Sequence, residues 1–181
     1  MVIWSEVMPY WRIGVQYYLV GRAAFFLRTR MVTGNNFHHA VEMLLKEKLQ
    51  QKYTLAHLKS QKFGHRLPSL WTVFKELAND PALDVYDDVI TELHRWEEIR
   101  YPPQDNELVP TSGLRKGERP DVLLPGGARA NQYHLELESI DELVAAIIKA
   151  VPLDVTWVKW EVETQCLGAE AYARDNHHTL W

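Results

Sequence analysis

The sequence predicts a single-domain, all-α protein, and three observations lead there. Apolar residues recur three and four apart in several separate stretches, the period of a helix with one buried face. Asn79-Asp80-Pro81, Pro102-Pro103 and Pro152 sit where those stretches stop, as helix terminators do. A chain of 181 residues, 46% apolar and 24% charged, is long enough for one well-buried core and short for two.

The first helix is expected from about Pro9 to Arg30, with proline tolerated in its first turn. At 100° per residue, Trp11, Val15, Tyr18, Phe25 and Phe26 make one apolar face. Ile13, Tyr17, Val20, Ala24 and Leu27 make a second on roughly the opposite side. A helix apolar on both sides is central to a bundle or shared between core and partner. Gly14 and Gly21 also share a side, where backbones can approach closely. A homodimer seam along this helix is the resulting expectation.

Thr33-Gly34-Asn35-Asn36 reads as a turn with an asparagine N-cap. The second helix then carries Phe37, Val41, Leu44 and Leu45 on one side, with Lys48 snorkelling. A short helical piece around Leu55 to Lys59 leads to Gly64, a breaker. The third helix follows the 3.6 period through Leu67, Leu70, Trp71, Phe74, Leu77 and Ala78. The fourth carries Val85, Tyr86, Val89, Ile90, Leu93 and Trp96 and stops before Tyr101-Pro102-Pro103.

Residues 101–132 hold five prolines and four glycines without an apolar period. They are expected to form a long irregular loop, an excursion from one domain, because too little chain follows for a second core. Tyr133 to Glu138 reads as a short extended piece. Ser139-Ile140-Asp141-Glu142 has the capping-box pattern that opens a fifth helix. Its buried face is Ile140, Leu143, Val144, Ile147, Ile148 and Val151. From Val155 to Val162 periods of 2 and 3.6 fit equally, and Gly168 to Asn176 reads as helical. The core helices thus cover about 9–100 and 139–175 of one domain spanning 1–181.

A net charge of −4 gives no global attraction to nucleic acid. The distribution is uneven. Lys46, Lys48, Lys52, Lys59, Lys62 and Arg66 are opposed only by Glu47, whereas the stretch from Glu76 to Glu107 is acidic. Such runs are solvated faces that attract each other within the fold or across a dimer, or a phosphate-binding surface on the basic part. Glu6, Arg12, Gln16 and Arg22 interrupt the apolar start, and no uncharged run approaches the ~20 residues of a membrane span. No signal peptide, no membrane segment and a cytoplasmic location are expected. The single Cys166 cannot form an internal disulfide, fits a reducing compartment, and has no cationic neighbour in sequence to activate it. No Gly-rich phosphate loop, C-x-x-C pair or G-x-S-x-G elbow is present, so no cofactor is expected.

Several residues stand out. His38 and His39 lie four and three positions before Glu42, a spacing that two-helix metal sites use. Such a site needs a second set of ligands, and none is legible on another helix. The expectation is therefore no metal, with a core-flanking histidine bonded to Glu42. Arg22 falls in the middle of the Trp11, Val15, Tyr18 and Phe25 face, where a charge must pair or reach solvent. Glu42 is its expected internal partner, and a phosphate or base is the functional alternative. Lys62, His65 and Arg66 precede Pro68 at the start of the third helix, whose free N–H groups favour anions. They are candidate phosphate contacts, with local capping or packing by His65 as the alternative.

Taken in order, Gly34-Asn-Asn-Phe-His-His-Ala-Val-Glu42-Met-Leu-Leu-Lys46 and Phe63-Gly-His65-Arg-Leu67-Pro-Ser-Leu70-Trp71 resemble the HEPN family of nucleotide-binding helical domains. Ala40, Glu42 and Lys46 match the family's A-x-E-x-x-x-K on the second helix. His65, Leu67 and Leu70 match its H-x-L-x-x-L segment on the third. Glu97-Glu-Ile-Arg100-Tyr-Pro102 is similar to the end of its fourth helix. The likeness covers about residues 10–102 and returns more weakly at the fifth helix.

The resemblance implies an antiparallel helical bundle, usually dimeric, among RNases of toxin–antitoxin systems, nucleotide binders and non-catalytic partners. Catalytic members carry R-x4-6-H with a polar residue after the arginine, and the two residues meet across the dimer to cleave RNA without metal. Here Arg100 has no histidine in range, and His38 and His39 lie too far from Arg30. Arg174-Asp175-Asn176-His177-His178 places its histidine one position short, which leaves Arg174, Asp175 and His178 as weak catalytic candidates. The first expectation is a module that binds a nucleotide, RNA or protein partner without catalysis, using candidates among Arg22, His38, Glu42, Lys46, Lys62, His65 and Arg66. A metal-independent RNase and a scaffold without a small ligand are the alternatives.

Overall fold

A computed structural model describes residues 9–60, 62–100, 111–118, 133–151, 153–166, 168 and 176. They are mostly helical, with two short strands, as the all-α expectation required. The elements are α1 (Tyr10–Phe26), α2 (Arg30–Leu49), α3 (Leu55–Leu58) and α4 (Leu67–Ala78). A 3-10 helix (Pro81–Tyr86) then leads into α5 (Asp87–Arg95), and β1 (Thr111–Leu114), β2 (Tyr133–Glu136), α6 (Leu137–Ala150) and α7 (Val155–Gln165) follow. No helix among the described residues is long and apolar enough to cross a membrane.

The helix α2 is the axis of the fold. Its Phe37, Val41, Leu44, Leu45 and Leu49 are fully buried, in one cluster with Leu70, Trp71 and Phe74 of α4, Ile90 and Leu93 of α5, and Leu143, Val144 and Ile147 of α6. It lies antiparallel to α1, and two glycines set the closeness of that pair. A Cβ on Gly14 would come 2.8 Å from Leu44 Cγ, and one on Gly21 would come 2.7 Å from Phe37 Cδ1. These glycines therefore serve packing inside the chain and not a seam between copies. The other side of α1 packs Val15 and Leu19 against Val158 and Val162 of α7. Residues 155–162 are thus helical, and period 3.6 decides over period 2.

Chain reversal between α1 and α2 comes earlier than the expected turn at Thr33–Asn36. The break lies at Leu27-Arg28-Thr29, where Arg28 takes φ 58° and the Thr29 amide and hydroxyl both donate to the Ala24 carbonyl (2.9 and 3.0 Å). Residues 33–36 instead lie inside α2. The Thr33 hydroxyl and the Asn35 amide donate back to the Thr29 and Met31 carbonyls of the preceding turn. Gly34 is there for contact: a Cβ would fall within the Trp96 indole.

Leu67–Ala78 holds as expected, ended by Asn79 in the left-handed region at φ 52°. The next helix differs in its start. Asp80 caps the Ala82 amide and Pro81 opens a 3-10 turn, so the α-helix begins only at Asp87. Leu83 is buried in that turn while Val85 is exposed. Part of the expected irregular loop is also ordered: Thr111–Leu114 pairs in parallel with Tyr133–Glu136, Thr111 opposite Tyr133. The capping box does not form. β2 runs straight into α6 at Leu137, and the Ser139 hydroxyl donates to Glu136 Oε1 (2.7 Å). Its third residue, Asp141, turns inward.

Arg22 pairs with that Asp141, not with Glu42. Its Nη1 donates to Asp141 Oδ2, the Tyr18 hydroxyl donates to Asp141 Oδ1 at 2.5 Å, and the Asn176 amide donates to the Tyr18 oxygen. The guanidinium carbon also lies 5.7 Å from the Phe26 ring centre. A fully buried charge is thereby matched by a buried carboxylate, the condition for keeping both inside.

An exposed helical glycine replaced by alanine normally gains about 1 kcal/mol. Gly34→Ala is expected to do the reverse, because overpacking against Trp96 costs about 1–3 kcal/mol. A lower urea midpoint at unchanged denaturant slope checks this.

Candidate functional site

Five polar residues of α2, namely Asn35, His38, His39, Glu42 and Lys46, recur three and four apart and so share one side of the helix. Two other segments meet that side. The residues ahead of α4 bring the Gly64 carbonyl and both the side chain and the carbonyl of His65. The chain at and after the end of α5 brings the Leu93 carbonyl, His94, Glu97 and Arg100.

Glu42 is the centre of the arrangement. Its carboxylate is 1% exposed and accepts Lys46 Nζ on Oε1 at 2.6 Å and His65 Nδ1 on Oε2 at 2.8 Å. His39 Nδ1 approaches the same Oε2 at 3.4 Å. Lys46 Nζ donates a second bond to the Gly64 carbonyl, at 2.8 Å. Burial alone would raise the Glu42 carboxyl. The hydrogen bonds from His39, Lys46 and His65 and the charge of Lys46 outweigh it and hold the carboxyl at about 2. Glu42 is therefore an anion at neutral pH.

His38 is buried, with Nδ1 3.3 Å from the Leu93 carbonyl and Nε2 3.0 Å from the His65 carbonyl. Its burial lowers its pKa to about 4 against the pull of Glu42, so it is neutral at pH 7 and donates one proton to one of the two carbonyls. The imidazoles form a chain: His94 to His38 at 5.9 Å between ring centres, His38 to His39 at 5.8 Å, and His39 to His65 at 5.8 Å. Tyr17 of α1 lies against His39 at 5.3 Å. Asn35, His38, His39, His65, Glu97 and Arg100 line a small, half-open cleft beside this chain. Two triads around it each gather three metal-type ligand atoms within 4.8 Å of one another: His39, Glu42 and His65, and His38, His94 and Glu97. His65, His94 and Glu97, which sequence spacing does not join to the residues of α2, are brought beside them by the fold.

Of the candidates chosen from sequence, His38, Glu42, Lys46 and His65 come together. His65 reaches Glu42 and does not cap α4. Arg22 lies apart, in its pair with Asp141. Lys62 is exposed with its ammonium 5.3 Å from the Phe63 ring centre, and Arg66 is exposed at the start of α4. Arg174, Asp175 and His178 lie outside the described residues. Sequence reasoning did not place His94, Glu97, Arg100 or Asn35 in the site. His94, Glu97 and Arg100 recur at intervals of three, a weak helical signal, and the Asn35 to Lys46 stripe has the 3.6 period in polar residues.

The histidine pKa fixes a pH dependence. Between about pH 6.5 and 4 the unfolded chain binds a proton at His38 that the folded chain refuses, so stability falls as pH drops through that window. Glu42, whose folded pKa is depressed, adds a further loss between about 4.5 and 2. With no divalent metal in the buffer, His38→Gln is expected to remove about 3 kcal/mol of the loss between pH 7 and 4. Urea unfolding of both proteins across that range measures it.

The chain matches no family model, no curated protein and no solved structure, so what the site does is read from its own chemistry.

Proposed function

We propose that the protein is a HEPN-like helical module that acts by binding, without catalysis, and that the cleft beside Glu42 holds the phosphate of a nucleotide or RNA. One observation carries this reading: Arg100 lines the same half-open cleft as His39 and His65, two imidazoles whose Nδ1 atoms are held by a common buried carboxylate. A guanidinium is always charged and matches phosphate geometry with paired N–H groups. Imidazoles anchored at Nδ1 offer their second nitrogen in a defined orientation. The Asn35 amide at the rim adds a donor and an acceptor for a base or ribose. The order of the A-x-E-x-x-x-K and H-x-L-x-x-L residues along the chain supports the same reading, since Lys46 and His65 both bond to Glu42.

A homodimer through the outer side of α1 belongs to this proposal. Tyr17, Val20 and Leu27 are exposed along one side of that helix, and Met31 and Val32 at the start of α2 are exposed as well. Tyr17 also touches His39, so a copy seated there would lie beside the cleft. Velocity sedimentation is expected to give a dimer for the natural chain and a monomer for Val20→Glu; a natural chain that sediments as a monomer removes this part of the proposal.

The ligand is tested by thermal shift with a nucleotide panel and short RNAs. A ligand at 100 times its Kd adds about 2.7 kcal/mol, which is about 5–10 °C in Tm for a chain of this size. Arg100→Ala is expected to abolish the rise. No shift with any of them, from a stable dimer, would turn the reading to a protein-interaction scaffold. Cleavage of the RNAs without metal would instead point to the RNase alternative and Arg174 and His178.

A further inference from the structure

Beyond phosphate binding, we infer that His39, Glu42 and His65 form a site for a divalent transition metal of the zinc type, with its remaining coordination position open to the cleft. The inference needs no nucleotide. It rests on ligand chemistry and on distance.

Two imidazoles and a carboxylate are the donor set that zinc and its neighbours take, and three protein ligands with one open position is the pattern of a reactive rather than a sealed site. The ligand atoms are already gathered. His39 Nδ1 lies 3.4 Å and His65 Nδ1 2.8 Å from the same oxygen, Glu42 Oε2. Tetrahedral ligands at bonds of about 2.0–2.1 Å are separated by about 3.3–3.4 Å. The His39 pair meets that spacing as it stands, and the His65 pair must open by about half an ångström. His65 is the member able to give, since its side chain is 49% exposed and precedes α4.

Binding replaces N–H donors by a metal bond. An imidazole that donates from Nδ1 to Glu42 shifts its proton to Nε2 and presents the Nδ1 lone pair to the metal. Glu42 is already ionised. Its other oxygen is fixed by Lys46 Nζ, itself held by the Gly64 carbonyl, an outer partner of the sort that orients ligating carboxylates. Lys46 also shares the carboxylate charge and so tempers the affinity. The neighbouring triad is the weaker candidate. Both nitrogens of His38 face backbone carbonyls, of Leu93 and His65, which leaves only His94 and Glu97 to ligate. Arg100 and Asn35 line the cleft onto which the open position faces, where an anion would bind the metal and the guanidinium together.

The test uses the full chain stripped with chelator and then dialysed free of it. Titration with Co2+ is followed by visible absorption and titration with Zn2+ by calorimetry. The expected result is one metal per chain, intense tetrahedral-type cobalt bands, and a Kd weakened at least about 10–100-fold in His39→Ala and in His65→Ala, the size of effect that even an outer partner can have. His94→Ala and a His177→Ala/His178→Ala double variant should bind as the natural chain does. Glu42→Gln is not relied on, because removing that buried charge endangers folding; His65→Ala, at a half-exposed position, is the deciding variant. No binding by the natural chain, binding indifferent to His39 and His65, or equal loss in His94→Ala would each overturn the inference. Failure of nucleotides to bind, with metal binding intact, would count only against the function proposed above.

Discussion

The buried Glu42–Lys46 pair organises the part of this molecule around the candidate site. A carboxylate inside a packed bundle must be neutralised and hydrogen-bonded or it destabilises the fold by several kcal/mol. Glu42 draws its compensation from Lys46 one turn along its own helix and from His65. Lys46 in turn takes the Gly64 carbonyl, and His38 lies between the carbonyls of His65 and Leu93, donating to one of them. Satisfying one charge thereby fastens the start of α4 to α2, and His38 separately brings α2 to the end of α5. The same bonds that meet the cost of burial hold His39 and His65 at a solvent-facing cleft.

The rest of α2 explains why that charge can be buried at all. One side of the helix is apolar and carries the core, from Phe37 to Leu49. Its other side is polar, from Asn35 to Lys46, yet His38, Glu42 and Lys46 are nearly inaccessible. Close approach is obtained by leaving out side chains. Gly14 and Gly21 let α1 settle onto Leu44 and Phe37, and Gly34 admits the Trp96 indole beside the polar stripe. A second buried pair, Arg22 with Asp141, links α1 to α6 far along the chain and includes Tyr18 and Asn176. Of these two networks, the one at α2 opens onto a cleft.

Helical folds built from amphipathic pieces host many activities, so the bundle alone argues for none of them. A cleft lined by His39, His65 and Arg100 beside an ionised carboxylate is more restrictive, and the proposed anion and metal sites rest on it.

The local properties of the chain were legible without a structure. Leu67 to Ala78 is a helix because its apolar residues keep the 3.6 period and Asn79 can adopt the left-handed conformation that ends it. The buried face of α6 followed from the same period. Interactions distant in sequence were not legible. Thr33–Asn36 carries turn residues, yet packing against Trp96 turned Gly34 into a contact and kept the helix going. Arg22 announced that it needed an anion; whether Glu42 or Asp141 supplied it depended on which helix lay opposite. Glu42, Lys46, His38 and His65 could be named from spacing and resemblance, but the bonds among them, and the arrival of His94, Glu97 and Arg100, required the helices to be docked. The sequence by itself determined the periodic, nearest-neighbour features, which depend on residues within a turn or two. Only the tertiary structure decided which polar groups meet, because pairing buried charges is set by the relative placement of elements tens of residues apart.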